Sequence, residues 1–139
     1  MMRKKLYKIL LAFVVVMNIM VVPISASNDI VRSAQARYNN IFAAELTLAF
    51  DKNNIAYCNI SLMPYSNCTG LEGYMRLLDS NGRHVASWNL YDYTDPYMIE
   101  KTAQVQYGQT YTLTFQGYAY GTGQLFDDIV LSVTATCID

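Results

Sequence analysis

From Ile41 onward, apolar and polar residues alternate with a period of two. That is the repeat of an extended strand and not the 3.6-residue repeat of a helix. Phe42, Ala44, Leu46, Leu48 and Phe50 fall on one face, with Glu45 and Thr47 on the other. Ile55–Leu62 sets Ala56, Cys58, Ile60 and Leu62 against Tyr57, Asn59 and Ser61. Leu71–Leu78 sets Leu71, Gly73, Met75 and Leu77 against Glu72, Tyr74 and Arg76. His84–Leu90 turns Ala86, Trp88 and Leu90 inward, and Met98–Tyr107 alternates more weakly. Thr110–Tyr120 places Tyr111, Leu113, Phe115 and Ala119 on one side. A last strand near Leu125–Cys137 does the same with Ile129, Leu131, Val133, Ala135 and Cys137.

Turn residues punctuate these runs. Asp51-Lys52-Asn53-Asn54 can bond its own backbone, and Asn81-Gly82 favours the positive φ of a tight hairpin. Gly108-Gln109 and Gly121-Thr122-Gly123 mark two more turns. About seven strands, one polar face each and no convincing helix predict an all-β chain: a single antiparallel β-sandwich over residues 41–139. The lone tryptophan, Trp88, takes a core-facing position. Tyr111, just after a turn, resembles the tyrosine corner of immunoglobulin-like and fibronectin type III-like domains, where the phenol bonds nearby backbone.

The start of the chain follows a different pattern. Arg3, Lys4, Lys5 and Lys8 precede an apolar run, Ile9–Val22, and then come Pro23 and the small residues Ser25, Ala26 and Ser27. This is the layout of a secretory signal peptide, residues 1–27, and the run is shorter than the roughly 20 residues of a spanning helix. The mature chain is therefore expected to be secreted, without a membrane span. Residues 28–40 read as a polar N-terminal arm, either flexible or a short helix. Without the signal, six basic residues face eleven acidic ones, a net charge of −5. That balance argues against nucleic acid and against polybasic attachment to anionic lipid.

Three cysteines remain, and outside the cytoplasm a disulfide can persist. Cys58 and Cys137 share the apolar register of their strands, whereas Cys68 lies in a polar loop. Strand phase thus favours a Cys58–Cys137 bridge, with Cys58–Cys68 as the rival pairing. A third reading leaves all three as thiols, Cys58 and Cys137 acting as small core hydrophobes. Cys68, left over, is the candidate for a disulfide-linked dimer.

Catalytic chemistry finds little support. His84 is the only histidine and has no evident orienting partner, and Cys68 has no neighbouring base. Asp92, Asp95, Asp127 and Asp128 offer oxygens of the kind calcium prefers, but their spacing matches no EF-hand loop, and solvated loop acids are the favoured reading. No enzyme activity, metal or cofactor is expected. Tyrosine is the informative residue, with eleven after the signal. Tyr91, Tyr93 and Tyr97 crowd one loop, and Tyr118 and Tyr120 approach the Gly121–Gly123 turn. Rigid rings with polar tips suit both strands and recognition surfaces. The Tyr91–Tyr97 loop is the candidate binding loop, for an extracellular protein or a carbohydrate.

Four segments, Ala36–Ile41, Tyr57–Ser61, Met75–Trp88 and Tyr107–Phe115, occur in an order that resembles a group of small secreted Firmicutes proteins of unknown function. The resemblance implies an immunoglobulin-like sandwich and carries no catalytic or ligand residues to transfer. The expectation is a non-catalytic extracellular binding module. The alternative is a secreted bacteriocin-like or toxin-like antagonist, which small size and export would also suit.

Overall fold

The computed structural model describes residues 31–36, 38–91, 97–123 and 126–138, with the backbone alone for residues 31–36. Residues 1–30, and with them the expected export segment, lie outside the described residues. Eight strands follow in order: β1 (Val31–Ala36), β2 (Ile41–Phe50), β3 (Ile55–Pro64), β4 (Cys68–Asp79), β5 (His84–Leu90), β6 (Tyr97–Gln104), β7 (Thr110–Gly121) and β8 (Phe126–Thr136). They form two four-stranded sheets, β1-β2-β3-β6 and β5-β4-β7-β8, with every neighbouring pair antiparallel. The chain is an all-β sandwich, and no helix occurs among the described residues. None of those residues provides a helix long and apolar enough to cross a membrane.

The core lies between the sheets and is filled by the alternating positions. Leu46, Leu48, Cys58 and Ile60 come from one sheet, and Met75, Leu77, Leu113, Phe115 and Ile129 from the other, all fully buried. Trp88 packs against this core half-buried. Residues 31–36 correct one expectation: they are neither a helix nor a loose arm but strand β1, paired with β2 from Val31↔Leu48 to Ala36↔Ala43. The segment has no strong apolar alternation, and its order comes from pairing with a partner edge, a tertiary effect that overrides local signal. Phe42 is the second correction. The β2–β3 register shifts between Ile41 and Ala43, so Ile41 is buried and Phe42 is 60% exposed. One extra residue in a strand turns the following side chains to the opposite face.

Two turns share one construction. Asp51 Oδ1 accepts hydrogen bonds from the backbone N–H groups of Asn53 and Ile55, at 2.9 and 3.0 Å. Asp79 Oδ1 accepts from Asn81 and Arg83, both at 2.9 Å. The residue before the last position has positive φ in each: Asn54 at 60° and Gly82 at 74°. The Asn81-Gly82 pair therefore uses one left-handed residue, not the two of the tightest hairpin, and a bulge at Leu77/Leu78 absorbs the difference. Around Asp51 the Ile55 N–H bond is the largest of the influences that hold the carboxylate below its ordinary pKa.

A polar node closes one end of the sandwich. Asp127, 5% exposed, accepts the backbone N–H groups of Asn39 at 2.8 Å and Asn40 at 2.6 Å. The Asn40 side chain, also buried, donates to the Ala119 carbonyl and accepts from Asn67 Nδ2, both at 3.0 Å. Gly121 leaves the room: a Cβ there would stand 1.9 Å from Asn40 Oδ1. Asp127 is thus a buried carboxylate that accepts backbone N–H groups and joins the turn before β2 to β8, not a solvated loop acid. Tyr38, beside it, has its pKa raised by burial first and then by the charges of Asp127 and Asp128.

Candidate aromatic binding groove

The outer face of the β5-β4-β7-β8 sheet carries the exposed rings. Side chains of β4 and β7 that do not enter the core must point outward, and pairing then fixes their neighbours. Glu72 on β4 pairs with Tyr118 on β7, and Tyr118 with Asp128 on β8. Tyr120 pairs with Phe126, and Tyr74 with Gln116. Tyr118 packs edge-on against Phe126, centroids 5.8 Å apart, and lies tilted 6.4 Å from Tyr120. Tyr91, one residue beyond the end of β5, stands over the same region at 61% exposure.

Two depressions open on this face and share Tyr118. One, of about 300 Å³, is walled by Glu72, Tyr74, Tyr91, Gln116 and Tyr118 over the backbone of Gly73 and Gly117. The other, of about 470 Å³, lies among Tyr118, Tyr120, Phe126 and Asp128. A polar contact links the two: the Tyr120 hydroxyl of the second donates to Glu72 Oε1 of the first at 2.5 Å. That bond, above burial and the Glu72 charge, raises the Tyr120 pKa, so the phenol stays protonated and donating.

The floor depends on a glycine pair. Gly73 and Gly117 face each other across β4 and β7. On the core side, the Phe115 ring fills the place both side chains would take: a Cβ on Gly73 would sit 2.4 Å from that ring. A Cβ on Gly117 would sit 2.4 Å from the Glu72 carbonyl oxygen. The aromatic core residue and the closely spaced strands beneath the groove require each other.

Of the expected binding loop, Tyr91 reaches this groove, and Tyr93 lies outside the described residues. Tyr97 does not belong to a binding loop. It opens β6 in the inward phase and is 2% exposed, because residues 97 and 99 alternate into the core. Tyr74, Tyr118, Tyr120 and Phe126 complete the surface instead. For Tyr74, Tyr118 and Tyr120 the polar-face positions of β4 and β7 held the signal, since an exposed strand face is normally filled by smaller or charged groups.

The cysteines separate as well. Cys58 and Cys137 are both buried, as strand phase predicts, yet no disulfide occurs among the described residues and the Cys58–Cys137 bridge is not formed. Cys137 lies past β8 with its sulfur 3.7 Å from Asn54 Oδ1, in the turn just before β3. Cys58 stands three residues into β3, about 10 Å further along at the usual strand rise. Burial, and after it the Glu100 charge, pushes the Cys58 thiol up to about 12. Cys68 opens β4 half-buried, its sulfur 3.6 Å from the Gly70 carbonyl oxygen.

His84 is exposed, its ring 3.0 Å from the Ser87 hydroxyl. Asp92 and Asp95 lie outside the described residues, and no cluster of three metal-binding side chains occurs among the described ones. A second exposed apolar cluster, Phe42, Met63, Tyr65 and Met98, lies on the other sheet, with Phe42 and Tyr65 edge to face at 6.0 Å. Comparison with protein-family models, curated proteins and solved structures finds no match.

Proposed function

We propose that the chain is a secreted, non-catalytic binding module that takes its ligand on the outer face of the β5-β4-β7-β8 sheet. The single observation behind this reading is the grouping of Tyr74, Tyr91, Tyr118, Tyr120 and Phe126 on one exposed face, with exposures of 40–61% for the four most open rings. Exposed rings grouped this way mark recognition surfaces. Tyr74, Tyr118 and Tyr120 stand on the central strands β4 and β7, held from both sides, so this part of the surface needs little ordering when a ligand arrives. The export segment supports an extracellular setting.

The sandwich is of immunoglobulin-like type in this proposal. The order β2-β3-β6 against β5-β4-β7-β8, with β1 added at an edge, supports that reading. So does the Tyr111 hydroxyl, which accepts the Gln106 backbone N–H at 2.8 Å, five residues upstream at the turn into β7.

The test is retention of the secreted chain on an array of immobilised extracellular glycans and peptides. Tyr91→Ala and Tyr118→Ala should each weaken retention about tenfold, a loss of about 1.4 kcal/mol. Their thermal unfolding midpoints should stay at the parent value. Equal retention of parent and variants on every bound probe would remove the groove from the function.

A further inference from the structure

We propose that the ligand of this groove is a neutral glycan, bound lengthwise along β7 with its sugar rings against the aromatic side chains. The inference rests on the reading of the groove as the binding surface and adds the chemical class of ligand.

Three observations narrow the class. First, β4 and β7 are the two central strands, and each is hydrogen-bonded on both sides. Their backbone groups are used, so a peptide cannot be captured by strand addition here, the commonest way a sheet binds an extended chain. The ligand must be read by side chains alone. Second, Tyr118 has a carboxylate on each flank, Glu72 across one strand pair and Asp128 across the other. Two negative charges bordering the central ring repel a phosphate, a sulfate or a uronic acid.

Third, the surface alternates ring and hydrogen-bonding group. Tyr118 is bordered by Glu72, Gln116 and Asp128, and the Tyr120 hydroxyl is tied to Glu72. A carboxylate accepts at both oxygens, and an amide both donates and accepts. A pyranose has the complementary form. One broad face is C–H groups, which pack on an aromatic ring, and the rim is hydroxyls, which donate to carboxylates and exchange bonds with an amide. The extent of the site also matters. From Gln116 to Tyr120 the outward side chains of β7 span about 13 Å at the usual strand rise. The two depressions, about 300 and 470 Å³, continue past Tyr118 in both directions. A small cation such as a quaternary ammonium would fill part of one depression and leave the rest bare. A chain of several sugar rings would use both.

The experiment is titration calorimetry of the secreted chain with β-1,4-linked gluco-, xylo- and manno-oligosaccharides of increasing length, alongside tetramethylammonium, polygalacturonate and a peptide array. The expected result is binding to at least one neutral series, with affinity rising as rings are added until both depressions are filled. Tyr118→Ala should lower that affinity about tenfold or more, and Tyr107→Ala, an exposed tyrosine off the groove, should leave it unchanged. Failure of all three neutral series overturns the proposal. If tetramethylammonium, polygalacturonate or a peptide binds instead and Tyr118→Ala abolishes that binding, the ligand class is wrong and the groove stands. If Tyr118→Ala changes no binding to any probe, the groove itself is the wrong surface.

Discussion

Gly117→Ala places one methyl group beneath the groove, where the structure has no space for it. The new Cβ would lie 2.4 Å from the Glu72 backbone oxygen, 2.7 Å from the Phe115 ring and 3.0 Å from the Gly73 Cα. Two of these three neighbours are backbone and cannot rotate away. Relief requires β4 and β7 to part by about 1 Å, which stretches the adjacent ladder bonds beyond useful length. Losing about two such bonds costs roughly 2 kcal/mol, and overpacking adds a further 1–3 kcal/mol. The expected loss is about 4 kcal/mol, a fall of roughly 16 °C in the unfolding midpoint for a chain of this size. Gly70→Ala is the matched control. It lies on the neighbouring strand β4, has no positive φ, and its Cβ would meet only the Tyr120 ring at 3.8 Å, an ordinary contact. That variant should stay within about 0.5 kcal/mol of the parent. Urea unfolding of the three proteins gives the comparison. A Gly117→Ala protein within about 1 kcal/mol of the parent, at unchanged denaturant slope, would refute the claim that the glycine pair sets the strand spacing.

Other consequences are as direct. Asp127→Ala strips the acceptor from the Asn39 and Asn40 amides and should lower stability by about 3 kcal/mol in urea unfolding, while faster hydrogen exchange appears at those two amides. Asp127→Asn keeps one acceptor oxygen and should recover part of the loss. Tyr111→Phe removes the bond from the Gln106 N–H and should cost about 1 kcal/mol by the same assay, with the fold kept. The Cys58 thiol is protonated in folded and unfolded chains alike below pH 9; between pH 9 and about 12 only the unfolded chain ionises. Unfolding free energy should therefore fall as pH rises through that window, by up to about 1.4 kcal/mol per pH unit, and Cys58→Ala should lack that part of the slope. Thiol labelling of the native chain should modify Cys68 first, since Cys58 and Cys137 are buried.

The alternation of apolar residues located seven of the eight strands because each has one face in the core, and burial enforces a period of two. It did not locate β1, whose place depends on the edge of β2 and not on its own residues. It misplaced Phe42, since a bulge has no compositional mark until the register is known. Asp127 looked like a solvated loop acid because the amides it accepts, those of Asn39 and Asn40, lie nearly ninety positions away in the chain. The groove was half legible. Tyr91, Tyr118 and Tyr120 could be singled out by type, but Tyr74 and Phe126 join them only through the β4-β7-β8 pairing. Tyr97 shows the converse. Proximity in sequence grouped it with Tyr91, and strand phase sent it into the core.

The measurement that bears most directly on the groove is an aromatic carbon–proton NMR spectrum of the labelled chain, recorded with and without the oligosaccharide that titration selects. The account predicts that shifts concentrate on Tyr74, Tyr91, Tyr118, Tyr120 and Phe126, while Phe42, Tyr65 and Tyr107 keep their positions. Shifts confined to Phe42 and Tyr65, with the groove rings unmoved, would contradict it and transfer binding to the opposite sheet.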